Sequence, residues 1–241
     1  GDQIECPKCS KVSKFSRIKK MPAFACQWCG HHIHPMAGTP FHRSRTPLQK
    51  WFYAMYLFTT SRHGVSAKEL QRQLGVTYKC AWRMAHEIRK YMGKVDGDDN
   101  LSGHVEVDET YIGGHRKGKC GRGASGKAVV LGMLERSGDV MTRIVPNVKT
   151  KTLKPIILEK VDKGTTISSD ELRSYGTLKY HGYNHGTVEH RTKQYVNGIH
   201  HVNALEGFWG IIKRSIKGTH IHISKKHLHK YLGEFEFRYN M

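Results

Sequence analysis

Two sets of residues in this sequence have the types and spacing to bind metal. Cys6-Pro-Lys-Cys9 and Cys26-Gln-Trp-Cys29 are C-x2-C knuckles with 16 residues between them, a spacing that fits a four-cysteine zinc ribbon. Four thiolates in a tetrahedron close the ion to water and substrate, so zinc there is structural. It would hold together a module of roughly 40 residues, too small to bury enough apolar surface alone. His31, His32 and His34 follow the second knuckle and could replace a cysteine, whereas Cys80 and Cys120 have no partner in sequence.

The second set is acidic: Asp108, Asp170 and Glu206. Carboxylates brought together from separate elements can hold two Mg²⁺ or Mn²⁺ ions, because hard cations take oxygen ligands and need only a few from protein. Two such ions clamp the attacking and leaving oxygens of an in-line phosphoryl displacement. The nucleophile is then water or a free 3′-hydroxyl, and no enzyme nucleophile is required. Each acid also has a plain structural use. Glu106 and Asp108 could be strand charges, and Asp170 could cap the turn before Leu172. Asn203-Ala-Leu-Glu206 fits a helix N-cap with its reciprocal glutamate.

The elements that must position these acids are legible. His104 to Ile112 alternates like a strand, with Glu106, Asp108 and Thr110 on one face and Val105, Val107, Glu109 and Tyr111 on the other. A basic glycine-rich loop runs from Gly113 to Gly126. Lys127–Leu134 and Asp139–Val145 read as paired strands around Arg136-Ser-Gly138, Thr150–Val161 as a helix, and Thr165–Asp170 as a strand ending on Asp170. Three hairpin-ordered strands, a crossover helix and a fourth strand resemble the ribonuclease-H-like fold, and in open α/β sheets sites form at strand C-termini. A last helix spans about Asn203 to Lys217 with an apolar stripe of Leu205, Phe208, Trp209, Ile212 and Ile216. At 100° per residue Glu206 and Lys213 lie nearly in line on it, with Lys217 close by.

Between ribbon and strands the sequence predicts three helices. Thr46 and Pro47 open the first, with Leu48, Trp51, Phe52, Met55 and Phe58 at helical spacing. Ser66-Ala-Lys-Glu69 is a capping box for the second, which Gly75 terminates. The third runs to about Tyr91 and carries Lys79, Arg83, His86 and Lys90. Two short helices on a tight glycine turn, the second basic, make a helix-turn-helix. Turn residues at 95–103 place a domain boundary there.

Composition agrees with a polyanionic partner. The chain has 40 lysines and arginines against 20 aspartates and glutamates, a formal charge of +20 spread along its length, as suits a protein lying along phosphates. No run of 18 apolar residues and no signal-peptide pattern is present, and paired knuckles point to zinc in a reducing cytoplasm rather than a secreted disulfide scaffold.

Three blocks then carry a family resemblance: Val105-Glu-Val-Asp-Glu-Thr-Tyr-Ile-Gly-Gly114, Ser169-Asp170 with Tyr175, and His201-Val-Asn-Ala-Leu-Glu-Gly-Phe-Trp-Gly-Ile-Ile-Lys213. They are similar to the IS1595-family, or ISXO2-like, insertion-sequence transposases, and the likeness extends through Ser224–His229 to Asn240 and to a front end with zinc ribbon and helix-turn-helix. It implies three parts: a ribbon over 1–40, a helix-turn-helix domain over 41–95 and a ribonuclease-H-like DDE domain over 103–241. It implies cutting at terminal inverted repeats of double-stranded DNA, strand transfer to target DNA, and work as a homo-oligomer. By motif position Asp108 and Asp170 are the first two acids. The third varies in the family, and both Glu206 and Asn203 are available; the Glu206-x6-Lys213 spacing and the better affinity of a carboxylate for Mg²⁺ favour Glu206. Two other readings keep the sequence facts: an endonuclease without strand transfer, or a catalytically inactive DNA-binding regulator.

Overall fold

Short strands carry the cysteine knuckles at the front of the chain. In the computed structural model, which describes residues 3–95, 99–113, 126–189 and 196–241, β1 (Ile4–Glu5) pairs antiparallel with β2 (Val12–Ser13). The strands β3 (Phe15–Arg17), β4 (Phe24–Cys26) and β5 (His32–Ile33) form a three-stranded antiparallel sheet. Each knuckle closes by a backbone hydrogen bond, Ser10 N–H to Cys6 C=O at 2.8 Å and Gly30 N–H to Cys26 C=O at 3.0 Å. The residue closing each turn is left-handed, with φ +53° at Ser10 and +67° at Gly30, a conformation glycine takes at no steric cost. The chain divides into two units, Gly1–Tyr53 and Ala54–Met241.

The division falls within α1 (Leu48–Thr60), whose buried positions are Trp51, Ala54 and Phe58. This is a narrower stripe than the sequence predicts, since Leu48 and Phe52 are exposed. Ser66 caps α2 (Ala67–Leu74) by accepting from Glu69 N–H at 3.1 Å, the serine half of the expected capping box, and Gly75 ends it at φ +58°. A third helix, α3 (Tyr78–Val95), packs along the C-terminal helix α6 (Leu228–Asn240). The two helices touch at Gly93 and Gly233, where an added Cβ would stand 3.2 Å or less from the facing backbone. Between them Glu234, fully buried, takes Arg89 at 2.6 Å and Arg238 at 2.9 Å.

The larger unit is built on a mixed five-stranded sheet. Its strands are β6 (His104–Ile112), β7 (Ala128–Glu135), β8 (Val140–Val145), β9 (Thr166–Asp170) and β10 (Asn184–Val188), in the spatial order β10-β9-β6-β7-β8. β6, β7 and β8 are antiparallel neighbours, β9 lies parallel to β6, and β10 parallel to β9. The crossover from β8 to β9 contains α4 (Thr150–Lys160). The α/β order expected from the sequence is therefore present, and β10 and α6 are additions to it. On one sheet face Val105, Val107, Leu131, Met133 and Ile167 pack with Leu153 and Ile157 of α4. On the other, Val130 and Leu134 pack with α6 and with Leu205, Phe208, Trp209 and Ile212 of α5 (Asn203–Ser215), which widens into a π-turn over Ile216–His220.

At the β8 edge, Asn240 accepts from Val140 N–H at 2.8 Å and Glu236 accepts from Thr142 N–H at 2.6 Å, so side chains of α6 cover backbone groups that would otherwise invite another strand. No helix among the described residues is long and apolar enough to cross a membrane. The glycine-rich loop at 114–125, with Cys120, lies outside the described residues.

Candidate functional site

The site grows from the alternation of β6. Residues 106 and 108 point to the α5 face, where Asp108 pairs across β7 with Gly132. An added Cβ at Gly132 would lie 2.4 Å from the Trp209 ring, so the missing side chain is what lets the indole lie across the strand. From there Trp209 Nε1 donates to Asp108 Oδ2 at 3.1 Å.

Glu106 anchors the same helix. Fully buried, it accepts from Leu205 N–H at 3.0 Å and from Arg136 Nε at 2.9 Å, with His201 Nδ1 3.0 Å away. The N-cap residue of α5 is Val202, and no side chain of the helix caps it. A carboxylate from β6 thus satisfies one of the first-turn amides that a capping side chain would normally take. The Asn203 capping box is accordingly not formed. Arg136 also donates to the carbonyls of Ile199 and His201 at 2.8 and 3.0 Å, fixing the segment that enters α5.

The parallel pairing of β6 and β9 ends on Val107 and Ser169, so Asp108, in the middle of β6, and Asp170, the last residue of β9, come together just past the last paired residues. Carboxylate oxygens of Asp108, Glu109 and Asp170 lie within 4.8 Å of one another. Asp170 also accepts from Leu172 N–H at 3.0 Å, so it caps the turn and faces the cluster at once. Glu109, which alternation assigns to the opposite face, reaches the group from within β6, where it pairs with Leu131 of β7, and accepts from the Tyr175 hydroxyl at 3.0 Å. Burial, then the neighbouring Glu109 and Asp170, then Glu206, push the Asp108 carboxyl up to about 7. The Tyr175 phenol is held well above its ordinary value by burial and by Glu109, which keeps it a donor. A donor set made only of carboxylate oxygens suits a hard divalent cation.

Glu206 stands exposed in the first turn of α5 and is not one of the clustered acids, but its charge is felt at Asp108. Asn203, Lys213 and Lys217 are exposed on α5 and the π-turn that follows.

In the first unit the four thiol sulfurs of Cys6, Cys9, Cys26 and Cys29 also lie within 4.8 Å of one another, with Cys6–Cys29 at 3.6 Å and Cys9–Cys26 at 3.9 Å. Tetrahedral zinc with Zn–S bonds near 2.3 Å needs sulfurs about 3.8 Å apart. The Cys26 thiol is lowered to about 6: burial opposes its ionisation, and the Ser13 hydroxyl at 3.2 Å and backbone amides including that of Trp28 outweigh it.

Comparison with known proteins decides the family. The model of the ISXO2-like transposase domain matches residues 100–240. The chain belongs to the ISXO2-like transposase family. Among relatives of this ISXO2-like chain, an uncharacterized protein in transposable element ISH50 of Halobacterium salinarum is 26% identical over 255 aligned positions, covering 98% of this chain and 85% of that protein. An uncharacterized transposase-like protein of Haemophilus influenzae is 36% identical over 101 positions, 42% of this chain and 80% of that protein. A solved Mos1 transposase paired-end complex with left transposon end is similar at 12% identity over 77% of this chain and 74% of that one, and its TM-score of 0.28 is too low to bear on fold or chemistry.

Of the basic side chains expected to meet DNA in this ISXO2-like chain, Lys79, Arg83 and Lys90 are exposed on α3. His86 is a correction. It is 3% exposed, its ring 3.9 Å from Trp82 and 4.6 Å from His227. Burial, then Arg89 and Lys230, lower it to about 3, so it is neutral and offers phosphate no charge. Glu109, Glu106, Arg136 and Trp209 were not singled out for these roles by the sequence. The signal for Glu109 is its place beside Asp108, with a tyrosine, Tyr175, five residues after Asp170.

Proposed function

We propose that this chain is the DDE-type DNA transposase of an insertion sequence, binding terminal inverted repeats in double-stranded DNA, cutting there and joining the freed 3′ end to target DNA. The observation that carries this reading is the meeting of Asp108 and Asp170 where the pairing of the parallel strands β6 and β9 ends in a chain of a transposase family. The strand order and crossover favour a ribonuclease-H-like core over 103–241, with a zinc ribbon over 1–40 and a helix-turn-helix over 41–95. The tetrad of cysteines supports structural Zn²⁺.

Asp108 and Asp170 hold the divalent ions, Mg²⁺ or Mn²⁺, joined by Glu109 from the cluster and by Glu206 from α5 as the third acid of the motif; Asn203, one turn of helix away, is the competing candidate. When bound, two such ions supply positive charge to the attacking and leaving oxygens of an in-line displacement at phosphorus. The chain's own contribution is position. Trp209 fixes the rotamer of Asp108, Tyr175 that of Glu109, and Glu106 the start of the helix that carries Glu206. Lys213 and Lys217 hold phosphate of the cut end. Homo-oligomerisation lets two ends be processed together.

The test is a strand-transfer assay with a precut duplex end, a target duplex and Mg²⁺. Asp108→Asn and Asp170→Asn abolish cleavage and joining and keep end binding. Hydrolysis by the wild-type protein with no joining would replace the transposase reading by that of an endonuclease. Comparing Glu206→Ala with Asn203→Ala identifies the third residue, the expected outcome being loss of activity in the first alone.

A further inference from the structure

The cations of α3 are arranged along one line. At 100° per residue Lys79, Arg83, Lys90 and Lys94 fall within about 60° of one another, and from first to last they span about 22 Å. All four are exposed, while Ala81, Met84, Ala85, Ile88, Arg89 and Met92 take the helix's buried side. Toward its C-terminal end this ridge descends into a groove of about 350 Å³ between α3, α6 and β8, where Lys90 and Lys94 are joined by Arg143, His229 and Lys230. The groove is narrow because Gly93 and Gly233 let the two helices touch. Its carboxylate, Glu236, is engaged by the backbone and hydroxyl of Thr142.

We infer that the C-terminal part of this ridge, Lys90 and Lys94, and the groove with Arg143 and Lys230 form a track for the sugar-phosphate backbone of duplex DNA, contacted without reading bases. The inference rests on the proposed DNA transposase function and adds a second kind of contact to it. Three features point to backbone. A helix that reads bases must project into a major groove about 12 Å wide, whereas the C-terminal half of α3 is flanked by α6 and the β8 edge, making a concave surface. Lysine dominates the line, and its ammonium is a compact point charge that pairs with phosphate without the planar fork of a guanidinium. Finally, a row of cations some 20 Å long, with the Glu87 carboxylate beside it at 4.0 Å from Lys90, fits a ligand whose opposite charge repeats regularly, which a nucleic-acid strand supplies and a folded acidic protein surface does not.

The experiment is equilibrium binding of the full chain to two duplexes of equal length, one carrying the element end and one unrelated, across a salt series. The variant is Lys94→Gln/Arg143→Gln/Lys230→Gln, which leaves every proposed catalytic residue in place; Lys94→Arg/Lys230→Arg controls for charge against shape. The triple variant weakens both duplexes by the same factor, and its slope of log affinity on log salt is shallower by about 2–3, near 0.9 for each phosphate no longer neutralised. The arginine variant keeps wild-type affinity. Unchanged affinity and slope in the triple variant would overturn the track, as would a loss confined to the element end. The transposase reading fails by a different result, wild-type protein that binds both duplexes with the expected salt dependence and neither cuts nor joins them.

Discussion

Trp209 donates its indole N–H to Asp108 across 3.1 Å, and it reaches that carboxylate because Gly132, the cross-strand neighbour of Asp108, has no side chain to displace the ring. An aromatic side chain of α5 therefore sets the direction of the first acid of the cluster. Trp209→Phe keeps most of the packing and removes the donor. The expected cost in stability is about 1 kcal/mol, that of a single hydrogen bond, with a much larger loss of Mg²⁺-dependent cleavage. Gly132→Ala pushes the ring itself and is expected to destabilise by about 1–3 kcal/mol with similar loss of cleavage. Urea denaturation set beside cleavage rates checks both; Trp209→Phe at full activity would remove the indole from the site.

Glu106 is the acid most easily mistaken for a catalytic one, since it lies two residues before Asp108 on the same face. Its oxygens are taken by Arg136 and by the Leu205 amide, so its work is to hold α5. Glu106→Gln leaves a neutral group where a charge was paired, and the expected loss is about 2–3 kcal/mol, the scale of hydrogen bonds to charged groups reduced by the partial exposure of Arg136. Cleavage by the folded fraction should fall less than in Asp108→Asn. A Glu106→Gln protein as stable as wild type yet wholly inactive would move Glu106 into the catalytic group.

How far the sequence carries depends on whether the physics is local. The cap at Ser66, the β6 alternation and the C-x2-C knuckles are local, and each forms at the residues expected. Glu109 escapes the alternation rule because β9 stops at Asp170 while β6 runs on to Ile112, and beyond the last residues paired between them both Asp108 and Glu109 can reach Asp170. The helix α6 escapes because its pattern is broken by Glu234 and Arg238: Glu234 is buried between Arg238, one turn along the helix, and Arg89, 145 positions away. The cap of α5 is invisible for the same reason, since its carboxylate comes from a strand 99 positions earlier. His86 repeats the lesson in reverse: a basic residue at helical spacing proved to be part of an aromatic cluster.

The four thiols stand where one tetrahedral ion would hold them, and the strands that carry them are two or three residues long. The first unit should therefore depend on metal. The purified chain is expected to contain a single zinc ion, and Cys26→Ser to lose it, with protease cleavage becoming rapid before residue 54. Elemental analysis and limited proteolysis provide the check. Full zinc content in Cys26→Ser would show that the ion sits elsewhere.

Asp108 supplies a pH signature. With no cation bound, burial and then the acids beside it raise its folded-state value to about 7 from an ordinary 3.8. Between those values the folded chain binds more protons than the unfolded one, so stability falls as pH rises through that window. Asp108→Asn removes the titration. In Mg²⁺-free buffer with zinc retained, the wild type is expected to lose on the order of 2 kcal/mol relative to the variant between pH 5 and 8, after allowance for screening at a partly exposed carboxyl. Divalent ions require the carboxylate, so adding Mg²⁺ should restore more stability to the wild type at pH 8 than at pH 5. Denaturation curves at the two pH values, with and without Mg²⁺, measure both effects. An identical pH response in wild type and Asp108→Asn would mean that the clustered acids do not share the strain of charge that a cation is needed to relieve.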